Sequence, residues 1–168
     1  MEAFWQGVVA DWPGTTELLD VIFRLSLAAI VGALPGLQRE QQQMPAGLRT
    51  HMLVSVGTAV FMMASLEAGA SVDAETRVVQ GLATGVGFLG AGAILKSKDE
   101  NEIRGLTTAA SIWLTAGLGT AVGAGRIWLP IVGAIFGLVI LSWLRTVEHA
   151  MGDHTKSPLI QTESNSEK

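Results

Sequence analysis

What most restricts the fold of this chain is a set of stretches long enough, and uncharged enough, to cross a lipid bilayer. No charged residue occurs between Arg77 and Lys96, and none between Gly105 and Gly125. A bilayer core takes roughly 20 apolar residues as a helix, with a range of about 17–25. Five segments meet that length: 18–37, 52–68, 78–95, 106–124 and 127–144. The first also carries Asp20 and Arg24, and the third and fourth are rich in glycine. One soluble core of a 17.7 kDa chain cannot hide so many uncharged runs, whereas a bilayer takes them all. Unpaired backbone groups are costly in lipid, so each crossing segment has to be a helix. The sequence predicts an all-α integral membrane protein, a compact bundle of about five transmembrane helices.

The basic residues orient that bundle. Arg39, Arg49, Lys96, Lys98, Arg104, Arg145, Lys156 and Lys168 fall on one side of a five-span arrangement, and only Arg77 and Arg126 on the other. The positive-inside rule makes the first side cytoplasmic, with the N-terminus outside and the C-terminus inside. Trp12 and Trp128 then mark the outer interface and Trp143 the inner one, while Trp113 falls in mid-span as a packing residue. The short connection Gly123-Ala-Gly-Arg126 predicts a tight antiparallel hairpin of the last two helices. Residues 1–15 form an outer segment with Phe4, Trp5 and Trp12, residues 16–147 the transmembrane domain, and residues 148–168 a polar, disordered cytoplasmic tail. The first 23 residues contain no Lys or Arg, which speaks against a cleaved signal peptide and for a first apolar run that stays as a helix.

Several functions are excluded by what the chain lacks. With no cysteine, disulfides, thiol chemistry and Cys-ligated metals are ruled out. A net charge of −4 without a basic stripe offers nucleic acid no surface. No nucleophile, base and orienting group cluster in the sequence, so no enzyme is expected, and no cofactor. Gly85-Val-Gly-Phe-Leu-Gly90 does match the dinucleotide fingerprint, but that fingerprint needs a strand before it and a helix opening after it. Inside an uncharged span, the same glycines read as helix contact.

Glycines four residues apart recur at Gly32/Gly36, Gly81/Gly85, Gly119/Gly123 and Gly133/Gly137, joined by Gly87 and Gly90. Small residues at this spacing let neighbouring backbones approach, so the pairs predict a closely packed bundle and allow a homo-oligomer. The other reading is that glycines loosen a helix to line a transport route.

The charges near the outer end form a second pattern. Glu17, Asp20 and Arg24 share one helical face, and Asp20 can pair with Arg24 at i, i+4. Charges within a span usually mark either a functional path or an internal ion pair. Asp73 and Glu75 precede the third span on the same side and suit a helix N-terminus. Together these acids make an outer cluster that could meet a hard cation or protons. Mg²⁺ needs only one or two carboxylates, which makes Asp73 and Glu75 weak candidates for a metal site. At the inner end, Arg39-Glu40 and Arg49-Thr-His51 form a dense polar loop, in which His51 is either proton-sensitive or simply bonded to backbone. The third loop, from Lys96 to Arg104, reads as solvated surface, and Thr107 and Thr108 as caps of the fourth helix.

Four strings carry a family resemblance: Gly36-Leu-Gln-Arg-Glu40, Pro45-Ala-Gly-Leu-Arg-Thr-His51, Gly85-Val-Gly-Phe-Leu-Gly-Ala-Gly92 and Arg104-Gly-Leu-Thr-Thr-Ala-Ala-Ser-Ile-Trp113. In this order they resemble the MgtC/SapB family of bacterial inner-membrane proteins, over residues 16–146. The resemblance implies a multi-pass protein of the cytoplasmic membrane connected with magnesium limitation, acid stress and virulence. It also implies a membrane-protein partner, a transporter or the ATP synthase, beyond the lipid bilayer itself. A functional acidic residue is implied shortly before the glycine-rich helix. Asp73 is its natural match, but the Asp73-Ala-Glu-Thr-Arg77 spacing is one residue longer than the usual pattern, which leaves Glu75 as a rival. Longer members carry a soluble C-terminal domain, and the chain is expected to be a short form without it. The expected function is a non-enzymatic modulator of a membrane system, the alternative a small Mg²⁺ or H⁺ transporter with Arg24 and the acids lining its route.

Overall fold

The computed structural model describes Met1, residues 13–96 and residues 103–152. Five helices account for most of it: α1 (Thr15–Gln41), α2 (Leu48–Glu67), α3 (Val72–Gly92), α4 (Leu106–Gly123) and α5 (Trp128–Gly152). Between α3 and α4, Leu95–Lys96 pairs antiparallel with Ile103–Arg104 in a two-strand ladder. Among the described residues three helices, α1, α2 and α4, are long and apolar enough to cross a membrane, and α5 contributes the shorter apolar stretch Trp128–Trp143.

Local chemistry sets the helix ends. The Glu17 carboxylate accepts a 2.9 Å hydrogen bond from the Gly14 N–H just before α1. Ser71 caps α3 by accepting from the Ala74 N–H. Glu40, in the last turn of α1, accepts from the Leu48 N–H at 2.9 Å, so the end of α1 caps the start of α2. Gly105 opens α4 at φ +96, where a Cβ would also lie 3.0 Å from the Ala93 carbonyl carbon. Its cap uses no side chain. Thr107 is instead exposed and Thr108 buried, because a left-handed glycine already turns the chain there.

α4 is the hub, packing against each of the other four helices, while α1 and α2 form the tightest pair. The interior is built from small residues: Ala28, Val31, Ala59, Leu118, Val122 and Ala134 form one cluster, and Ala46, Val86, Ile112 and Ala116 another. Large apolar side chains point outward instead, Phe61, Phe88, Trp128, Phe136 and Trp143 all being more than 60% exposed. Small residues inside and bulky ones outside is the arrangement of a helical bundle solvated by lipid, where close backbone contact replaces the hydrophobic drive.

Three expectations need correction. Trp113 is 58% exposed rather than packed inside, because α4 turns its Ser/Thr/Gly faces to its neighbours. The third helix ends at Gly92 rather than 95, where Ala93 and Ile94 turn the chain into the two-strand ladder. Helix α5 runs to Gly152, into the stretch from 148 expected as tail. The rest of the tail, the outer tryptophan Trp12 and the centre of the third loop lie outside the described residues.

Candidate functional site

The helix contacts sort the polar residues into two ends. Glu40 of α1 meets Leu48 of α2, Gln38 of α1 donates to Ser142 of α5 at 2.8 Å, and Gly90 of α3 lies against Ala109 of α4. These contacts bring Arg39, Glu40, Arg49 and His51 to one end of the bundle. At the opposite end, Arg24 Nε donates to Asp20 Oδ2 at 2.8 Å, and Arg24 Nη1 donates to the Gly123 carbonyl at 3.1 Å. Arg24 therefore ties α1 to the end of α4, where unpaired carbonyls and the helix dipole favour a cation. The Asp20–Arg24 pair is part-exposed, with 51% and 27% of the side chains accessible.

Asp73 is exposed and Glu75 half-buried, both in the first turn of α3. The structure does not gather them with Glu17 and Asp20 into one cluster. Helices α1 and α3 share no substantial interface, and among the described residues no three acidic or histidine side chains stand close enough to hold a metal ion. Glu17 is committed to the start of α1. Only Asp20 and Arg24 of that group form a pair.

The glycine pairs also divide. A Cβ on Gly32 would lie 2.7 Å from Ser55 Cβ, one on Gly36 2.9 Å from Leu48 Cα, and one on Gly123 2.6 Å from the Ala59 carbonyl. Gly119 is pressed against the Ser55 carbonyl and the Thr58 hydroxyl, and Gly133 and Gly137 against Leu118 and Leu114. Gly90 is in ordinary contact with Ala109, at 3.5 Å. Gly81, Gly85 and Gly87 do not pack at all: a Cβ on any of them would meet nothing within 4 Å. The reason is the position of α3, which stands at the edge of the bundle and buries only Val86 and Gly90.

That outlying helix leaves open space on two sides. An apolar groove of about 680 Å³ runs between α2 and α3, lined by Leu53, Phe61, Val78, Gly81, Gly85 and Leu89 among others. A smaller one of about 310 Å³ separates α3 from α4, with Trp113 in its wall and Arg126 among its lining residues.

A buried polar seam joins α2 to α4, and of its members the sequence singles out only His51 and Thr108. His51, Ser55 and Thr58 on α2 and Thr108, Ser111 and Thr115 on α4 are all buried, each with 4% exposure or less. They meet through His51, whose Nε2 lies 3.0 Å from Ser111 Oγ, and whose Nδ1 lies 2.9 Å from the Gly47 carbonyl. The Ser111 hydroxyl lies 2.8 Å from the Thr108 carbonyl, and the Thr115 hydroxyl donates to the Ser111 carbonyl at 2.8 Å. Hydroxyls recur three and four residues apart inside these otherwise apolar helices, and what sets them apart is the meeting of His51 with Ser111. Arg39, 3% exposed, lies close by, its Nη1 donating to Gln42 Oε1 at 3.5 Å.

Comparison with known proteins bears on the whole bundle. The model of the MgtC family matches residues 25–150. The chain is 43% identical over 149 residues to Protein SrpB of Synechococcus elongatus, covering 82% of this chain and 79% of that one. It is 42% identical over 129 residues to an Escherichia coli protein named "Putative magnesium transporter YhiD", covering 73% of this chain and 59% of YhiD. To Protein MgtC of Salmonella typhimurium it is 42% identical over 105 residues, covering 62% of this chain and 44% of MgtC. No solved structure matches it.

Proposed function

The chain belongs to the MgtC family, and from that premise we propose that it is a multi-pass protein of the bacterial inner membrane that modulates another membrane system tied to Mg²⁺ homeostasis, with no catalytic activity of its own. The name of the YhiD relative supports the magnesium link. A role in acid or low-Mg²⁺ stress, in virulence, and a transporter or ATP synthase as partner belong to the same proposal. So do five crossings with the N-terminus outside.

The observation that carries modulation over transport is the lining of the larger groove. Its walls are Leu, Val, Phe and Gly with Thr58 as the one hydroxyl, and it lies between α2 and the outlying α3. Such a space suits lipid or a helix of another protein far better than a hydrated cation, which needs oxygen ligands or water along its path. The second reading, a small Mg²⁺ or H⁺ transporter with Arg24, Asp20, Asp73 and Glu75 along the route, draws on the buried hydroxyl seam between α2 and α4. Purified protein in liposomes separates the two. Modulation predicts Mg²⁺ and H⁺ fluxes equal to those of protein-free vesicles, and flux that rises with protein content overturns it in favour of transport.

The orientation has its own test. Because the natural chain is cysteine-free, single cysteines at Ser71 and Gln43 report sidedness cleanly. Ser71 is expected to react with an impermeant maleimide from outside the cell, and Gln43 only after the membrane is opened. Labelling of both from the same side is incompatible with the proposed topology.

A further inference from the structure

His51 is completely buried, and both its ring nitrogens face oxygen atoms. The Gly47 carbonyl can only accept, so Nδ1 must carry a hydrogen to make its 2.9 Å bond. At the other nitrogen the partner is Ser111 Oγ, 3.0 Å away, and this hydroxyl is also 2.8 Å from the Thr108 carbonyl. A hydroxyl has one proton and here two claimants for it. If it donates to Thr108, it can only accept from His51, and Nε2 must then carry a hydrogen of its own. The ring is then an imidazolium. If Nε2 is bare, the hydroxyl has to turn toward it and the Thr108 carbonyl loses its side-chain donor. Protonation of His51 and rotation of Ser111 are therefore one event.

We propose that His51 is a proton-binding site whose occupancy is transmitted from α2 to the first turn of α4 by the Ser111 hydroxyl. The bound proton sits on Nε2, no covalent bond between heavy atoms changes, and the response is a change of partner at the Thr108 carbonyl. Burial opposes a charge on the ring, and so does Arg39, the charged group that faces it from α1. Glu40, also from α1, is engaged at the Leu48 N–H. From α4 only the hydroxyl residues Thr108, Ser111 and Thr115 are among the buried polar groups, and Arg49, on α2 itself, is exposed.

The proposal does not depend on the modulator reading, because its test reads the ring itself. The chain has three histidines, so His149→Gln/His154→Gln leaves His51 alone. In that background, with the full chain in nanodiscs, ¹⁵N-histidine spectra and ¹³C-carbonyl spectra are recorded from pH 8 to pH 4. The expected result is complete conversion from the Nδ1–H tautomer to imidazolium, with the Thr108 carbonyl signal shifting at the same midpoint. Ser111→Ala removes only the relay, so its ring should still titrate while the Thr108 shift is lost. A ring that keeps one protonation state throughout, an Nε2–H tautomer at pH 8, or a Thr108 shift that persists in Ser111→Ala would each overturn the proposal.

Discussion

Gly119→Leu is expected to prevent the bundle from forming, whereas Gly85→Leu should leave it folded. At Gly119 even the first added carbon meets the backbone of α2, at the Ser55 carbonyl, besides the Thr58 hydroxyl. Overpacking against side chains typically costs about 1–3 kcal/mol because rotamers can give way. A helix backbone cannot give way except by moving the whole of α2. Gly123, one turn on, already lies against Ala59 and Met62, so a displaced α2 also loses that contact. Domain stabilities are on the order of 5–15 kcal/mol, so separating the hub helix from α2 removes a large share. Gly85 faces open space, and a leucine there enlarges the wall of the apolar groove without touching the core. Thermal unfolding in detergent, followed by helical signal and by yield of folded protein, distinguishes the variants. Gly119→Leu should fail to yield folded protein, and Gly85→Leu should melt within a few degrees of the natural chain. A Gly119→Leu protein of ordinary stability would show that α2 and α4 do not approach as closely as described.

The same pair of glycines shows where reading the sequence reaches its limit. The four repeats at four-residue spacing are locally indistinguishable, yet three are pressed against neighbours and Gly81/Gly85 is not. Small residues permit a close approach, but nothing in a local motif says which helix takes it up, and α3 has neighbours on one side only. The helices themselves were legible because charge-free runs of this length have few alternatives. Their ends were less so: Gly105 at positive φ, not the threonines after it, opens α4, and Glu40 of the preceding helix caps α2. Of the polar seam only His51, with its backbone partner, and Thr108 stand out in the sequence. A serine or threonine in a membrane helix normally bonds its own backbone one turn earlier, as Thr84 and Thr120 do, so hydroxyls carry little signal on their own. Only the meeting of His51 with Ser111, 60 positions later, distinguishes these hydroxyls from the rest.

The carboxylates at the end of the bundle opposite His51 provide the sharpest test of function, because the structure separates two groups that the sequence placed together. Asp20 is paired with Arg24 at the exposed edge of the α1–α4 contact, while Asp73 and Glu75 stand in the first turn of the outlying α3. A carboxylate in the first turn of a helix contributes about 0.3–1 kcal/mol through the dipole at an exposed end. That is too little to decide whether the bundle folds. Asp73→Asn/Glu75→Gln should therefore accumulate in membranes at the natural level and yet fail to restore growth of a deletion strain in low magnesium or at acid pH. Asp20→Asn should show the opposite pattern. It leaves the Arg24 guanidinium with the Gly123 carbonyl and a neutral amide in place of its carboxylate, which lowers the amount of folded protein more than the activity per molecule. Immunoblots of membranes beside growth curves separate the two effects. Full growth of the Asp73→Asn/Glu75→Gln strain under both stresses would remove α3's first turn from the candidate site and leave the charges at the α1–α4 junction as the remaining candidates at that end.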